Sequence, residues 1–400
     1  MGKKTLGMLL VALAVAAGAT VLVWILARPE SAPVKMGDRL FADIDVNAVE
    51  KIRMDTPGGG RFLVLRKEGG WVVPARNDYP ADFNQVVQFV RKMADLEVGR
   101  MFMAAPGDLK RLHLAEPQKD TAGGGILVTL LDGQDNELAS LILGSERLSK
   151  TGQTKGMPGG QFVRRPGSDS VFLVAQYFGQ DVANPTHWLD STVVKIDVEE
   201  IESISCMTGS PEFDQEVYTV GRPEKGAPFA PRVFPGGKKL SRIAVNRLAG
   251  FLSLVSLEDV APAQEPPEQF SDVMLAFRLF DGRIFKVWPD RGHPPGACSV
   301  RLDVGYEGPQ EVEAEPAQKD LDAGEGDKPP QQDRAEEAAR MSEKLSPWVY
   351  TLASWQCGKL ITDPQALAEQ EKPAGTAASS PRSQFQEKRR ARGSDSAFGQ

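Results

Sequence analysis

The 400-residue chain is long enough for two ordinary domains, and 41% hydrophobic with 25% charged residues is a globular composition. Its formal net charge of -7 excludes the basic field with which nucleic-acid binders displace counterions, so no nucleic-acid partner is expected.

The chain opens with residues 1–5, a short tail bearing Lys3 and Lys4, followed over 6–27 by an apolar run from Leu6 to Ala27. At about 1.5 Å per residue that run can cross a bilayer core of about 30 Å. Trp24 sits near its far end, where an indole suits the headgroup layer. The competing reading is a cleaved signal peptide, with Ala17-Gly18-Ala19 as the small-x-small site, but cleavage there leaves an apolar stub at the new terminus. The reading favoured is a single-pass membrane anchor, amino terminus inside and the bulk of the chain outside, with lipid as its first partner.

After a linker over 28–39, residues 40–187 read as one α+β repeat. Asp45 can cap a helical turn, and "KIRMDT", "RFLVLRK" and "WVV" form a meander of three strands. In "ADFNQVVQFVRKMADLEVGR", Phe83, Val86, Val87, Val90, Met93 and Ala94 fall at helical spacing. Strands "ILVTLL", "LASLIL", "QFVRR" and "VFLV" follow, and a short helix stops at Pro185.

Residues 188–365 repeat that plan, beginning with "IDVEEIESISC", an echo of "IDVNAVEKIRM". "SRIAVNRLAGFLSLVSLEDV" is expected to be the second helix, its stripe formed by Val245, Leu248, Ala249, Leu252 and Val255. The repeat pattern assigns Trp348 to Leu352 to a strand, although Ser346-Pro347 could open a helix. The acidic stretch over about 307–345 then reads as a disordered insertion at a hairpin tip, and 366–400 as a disordered tail. The fold class expected is therefore α+β: two tandem copies of a mainly antiparallel β module, each with one main helix, behind a transmembrane helix.

This plan resembles a bacterial family known as domain of unknown function 4340. The features that carry the resemblance are the anchor, the "I-D-V...V-x-x-I" opening, the Trp71 strand, the striped helix and the "LLDG" turn. The resemblance implies a protein of the bacterial inner membrane, amino terminus in the cytoplasm and main body in the periplasm, that accompanies ABC-type export systems of the gliding-motility kind, with ABC permease and ATPase subunits as partners. It carries over no catalytic residues.

The residues themselves predict no catalytic, cofactor or metal site. His113, His187 and His293 lack metal spacing, and the glycine runs at 58–60 and 123–125 open no βαβ helix. "GMPGG" over 156–160 reads as a connector, and Glu199, Glu200 and Glu202 as a solvated face. The three cysteines include no CxxC pair. Cys206 and Cys298 could bridge in an oxidising compartment, and buried free thiols are an equal alternative. The function expected is a non-catalytic accessory or scaffold subunit. The alternative is a tethered ligand-binding protein using a cleft between its repeats, and an envelope hydrolase is the least favoured reading.

Overall fold

The structure is a computed structural model that describes residues 35–41, 44–117, 122–148, 156, 158–209, 212–235, 239–263, 272–290, 297–308 and 331–369. The expected anchor, with Leu6, Trp24 and Ala27, lies outside the described residues. Among the described ones no helix is long and apolar enough to cross a membrane. The chain divides between Asp190 and Ser191 into two compact units, each built on a nine-stranded antiparallel sheet, so the fold is α+β.

In the first unit the strands are β1 (Lys51–Asp55), β2 (Arg61–Lys67), β3 (Gly70–Val73), β4 (Tyr79–Pro80), β5 (Val98–Met103), β6 (Ile126–Leu131), β7 (Glu137–Leu148), β8 (Pro158–Arg164) and β9 (Ser170–Val174). Helix α1 (Phe83–Ala94) precedes β5 and α2 (Pro106–Arg111) follows it. The sheet order is β4-β3-β2-β1-β6-β7-β8-β9-β5. Period-two alternation sets the register: Ile52 and Met54 of β1 are wholly buried, facing Val64 and Phe62 on β2 and Leu130 and Val128 on β6. Gly58 and Gly59 turn β1 into β2 with φ of 96° and 85°, a region that excludes most side chains.

Helix α1 begins where the Asp82 carboxylate accepts the Gln85 amide hydrogen, at 3.1 Å. It buries Val86, Phe89, Val90 and Met93, one face at 3.6-residue spacing. Phe89 packs edge-to-face on Trp188 at 5.0 Å between ring centroids, and the Trp188 indole N–H donates to the Val182 carbonyl at 3.0 Å. The segment closing the unit is thus clamped onto α1, as two short 3-10 turns, Asp181–Ala183 and Pro185–Trp188.

The second unit contains β10 (Thr192–Val194), β11 (Ile201–Thr208), β12 (Gln215–Gly221), β13 (Ala230–Val233), β14 (Val255–Pro262), β15 (Val273–Leu279), β16 (Arg283–Pro289), β17 (Ala297–Tyr306) and β18 (Trp348–Ala353). Its helices are α3 (Arg242–Ala249), α4 (Gln331–Leu345), α5 (Ser354–Cys357) and α6 (Pro364–Leu367). The order, read from the meander end, is β13-β12-β11-β15-β16-β17-β18-β14-β10. Strand for strand this matches β3-β2-β1-β6-β7-β8-β9-β5, with β4 added at the meander end of one sheet and β10 at the far end of the other.

Three expectations are corrected. The stretches expected to be long helices each split into a helix and a strand: α1 stops at Ala94 and α3 at Ala249, and β5 and β14 follow. Gly250 ends α3, and Leu252 and Val255 are buried in the turn and the strand beyond it rather than on a helix. The insertion over 307–345 is not unstructured throughout, because residues 331–345 form α4. Its composition is acidic, but Ala338 and Leu345, at the i and i+7 positions of one face, are buried. Glu337 also pairs with Arg283 at 3.2 Å, and the Ser342 hydroxyl meets the Asp303 carboxylate.

The third correction concerns the cysteines. Cys298 does not meet Cys206. It is joined by a disulfide to Cys357, with the Cα atoms 6.3 Å apart, inside the range such a bridge spans. The reason is register: Cys298 on β17 lies opposite Leu352 on β18, and α5 turns Cys357 back over that pair. Cys206 is a buried free thiol in β11, and burial pushes its pKa up to about 12, leaving it inert near neutrality.

Candidate functional site

In the first unit, the turn that precedes β1 brings Val46 and Val49 against Trp71 of β3 and the outer shoulder of α1. They enclose a groove of about 510 Å³, whose wall from α1 is Phe83, Val86, Val87 and Val90. Helical spacing explains that wall, since 83, 86, 87 and 90 lie on adjacent rows of one face. Phe83 is 62% exposed although it heads an apolar stripe.

Two arginines stand at this groove: Arg66, just inside the end of β2, and Arg91, one turn beyond Val87 on α1. Both are exposed, and neither guanidinium hydrogen-bonds or ion-pairs with a described residue. The corresponding position in the second unit behaves differently. Arg66 donates its backbone N–H to Glu50, and Arg222 donates its own to Glu202, each at the end of the second strand of its meander. Arg222, however, is buried. Its guanidinium donates to the carbonyls of Ile201 and Val198 and lies 4.5 Å from the Phe229 ring centroid. One arginine is consumed internally and the other faces solvent.

The second open feature of the first unit is a sheet edge. β5 ends its sheet, and beyond Val98, which exchanges backbone hydrogen bonds with Gly37 and Asp38, no described strand pairs with its outer side. Met101, Phe102 and Met103 are all exposed there, at 47%, 38% and 69%. On β14, the strand at the same place in the other unit, the comparable half carries Glu258, Asp259 and a closing Pro262, residues that discourage strand addition. β5 has Arg100 alone among charged residues.

A smaller cavity of about 380 Å³ gathers His113, Ser145, Glu146, Gln161 and Gln180. Gln161 is spent on structure: its amide donates to the Gly144 carbonyl and accepts from the Phe178 N–H, each at 3.0 Å. His113, brought here by a left-handed backbone with φ of 53°, ends α2. His187 is half-buried beside Trp188, and burial holds its pKa below the ordinary imidazole value. His293 lies outside the described residues.

The carboxylates of the second "IDV" turn are not simply solvated. Glu200 pairs with Lys225 at 2.6 Å, and Glu202, only 15% exposed at its side chain, lies 3.3 Å from both Arg232 and Arg278. They brace the turn at the start of β11 against neighbouring strands. The 156–160 loop is half strand, since β8 starts at Pro158. No cluster of potential metal ligands occurs among the described residues. Neither the groove nor the edge was singled out from sequence. Two signals bear on them: Phe83 preceding the buried stripe, and the "RMFM" run.

A family model described as "Domain of unknown function (DUF4340)" matches residues 71–271, half of the chain, from Trp71 across the boundary between the two units. No curated protein and no solved structure matches the chain.

Proposed function

We propose, from the premise that the chain belongs to the DUF4340 family, that it is a membrane-tethered, non-catalytic envelope protein that holds protein partners. In this reading it is an accessory or scaffold subunit of an ABC-type transport system, built from two copies of one α+β module. The common strand order of the two sheets supports the duplication. The apolar run from Leu6 to Ala27 supports the tether. The Cys298–Cys357 disulfide supports an exported body, because such bridges persist in oxidising compartments.

The observation that carries the scaffold reading is the β5 edge. A partner strand added there gains main-chain hydrogen bonds and apolar contact with Met101, Phe102 and Met103, and it needs no catalytic residue. The test is purification of the tagged full chain from gently solubilised membranes, beside a Met101→Lys/Met103→Lys variant that charges the edge. Permease and ATPase subunits recovered in fixed ratio with the wild type and lost with the variant are expected. A clean monomer or homodimer from the wild type refutes the proposal.

A further inference from the structure

We propose that the groove beside α1 is a second docking site, and that its occupant is a partner segment presenting an apolar side chain between two carboxylates. This rests on the scaffold reading above and adds the chemistry of one contact. The apolar lining of the groove, Val46, Val49, Trp71, Phe83 and Val87, offers a hydrophobic seat of the size that buries a few side chains. Neither of its two cations, Arg66 and Arg91, forms an ion pair with a described residue. A guanidinium at an apolar surface pairs most strongly with a carboxylate, through charge-assisted and often bidentate hydrogen bonds.

The second unit shows the self-satisfied alternative. Arg222, in the place of Arg66, folds onto the carbonyls of Val198 and Ile201 and under Phe229. The turn preceding β1 includes the corresponding residues, Val46 and Val49, yet Arg66 remains exposed at the groove. The charge of the groove therefore selects an acidic occupant, and its valine and aromatic lining selects an apolar anchor within it.

The probe is a fluorescein-labelled peptide with a Leu-Phe centre flanked by glutamates, titrated by fluorescence anisotropy against the full chain in detergent. A glutamine-flanked peptide is the control. The glutamate peptide should bind better than its control, and Arg66→Gln or Arg91→Gln should each weaken it about tenfold while leaving the control unchanged. Phe83→Asp should abolish binding of both peptides. All three residues are exposed, so unchanged thermal midpoints should confirm that the variants fold.

Equal binding of the two peptides overturns the proposal, as does insensitivity to the arginine substitutions or the absence of any binding. Binding of dodecanoate without the peptide also overturns it, in favour of a small amphiphile. The two readings fail separately. Peptide binding without co-purifying transport subunits leaves the groove and removes the transport assignment. Co-purification that survives the double arginine variant, with no peptide binding, removes the groove alone.

Discussion

Replacing Cys357 by serine removes a covalent tie between β17 and the turn after β18, and the size of the effect follows from chain length. The bridged residues are 59 apart in sequence. In the chain-entropy account, opening a loop of that length gives the unfolded state back about 4 kcal/mol. The folded state should relax little, since β17 and β18 stay paired from Ala297 to Arg301 and α4 still packs on β17. With a urea sensitivity of about 2 kcal/mol per molar, the unfolding midpoint of the second unit should fall by about 2 M. The assay is urea unfolding of Cys357→Ser and of wild type, with and without reductant. Reduction should bring the wild type to the variant's midpoint and leave the variant unmoved. A non-reducing peptide map linking Cys206 to Cys298, or a Cys357→Ser protein as stable as wild type, refutes the reasoning.

In the first unit, Trp188→Ala should cost about 3–5 kcal/mol, because it empties the wholly buried site against Phe89 and strands the Val182 carbonyl. Equilibrium unfolding should show it, with Trp188→Phe losing less; equal losses would mean that the ring contributes nothing. Stability should also depend on His187. Its folded pKa lies below the unfolded value of about 6.5, so the unfolded chain binds the proton first. The stabilisation is present above about pH 6.5 and is lost as pH falls through the folded pKa. Thermal midpoints between about pH 7.5 and pH 5 should therefore fall less steeply for His187→Gln than for wild type, and identical slopes would exclude the effect.

What was legible in the sequence was whatever local periodicity governs. The buried alternation of Ile52 and Met54, the Asp82 cap and the α1 stripe are all written in neighbouring residues, and the mainly antiparallel α+β class follows from them. Less legible was whatever depends on where a segment ends up. β5 and β14 read as continuations of helices because an apolar run leaving a helix looks the same whether it coils on or pairs with a distant strand. The Cys298–Cys357 bridge needed the β17–β18 register, and α4 was hidden by an acidic composition around a few small apolar residues. The groove needed both Arg66 and Arg91, 25 residues apart in sequence, in one lining, and only the fold places them there.

The strand order also sets a timetable for folding. Each sheet contains two local meanders joined by a distant pairing, β1 with β6 in the first unit and β11 with β15 in the second, and each adds a further distant pairing, β5 with β9 and β14 with β18. The hairpins of each meander can form from near neighbours. The seam must wait for a long loop to close, and such non-local pairings slow folding. Until Ile126–Leu131 has emerged and docked, Ile52 and Met54 lack the neighbours Leu130 and Val128 that complete their burial. A newly made β1–β3 meander is therefore a half-sheet with an open apolar flank, a state exposed to aggregation.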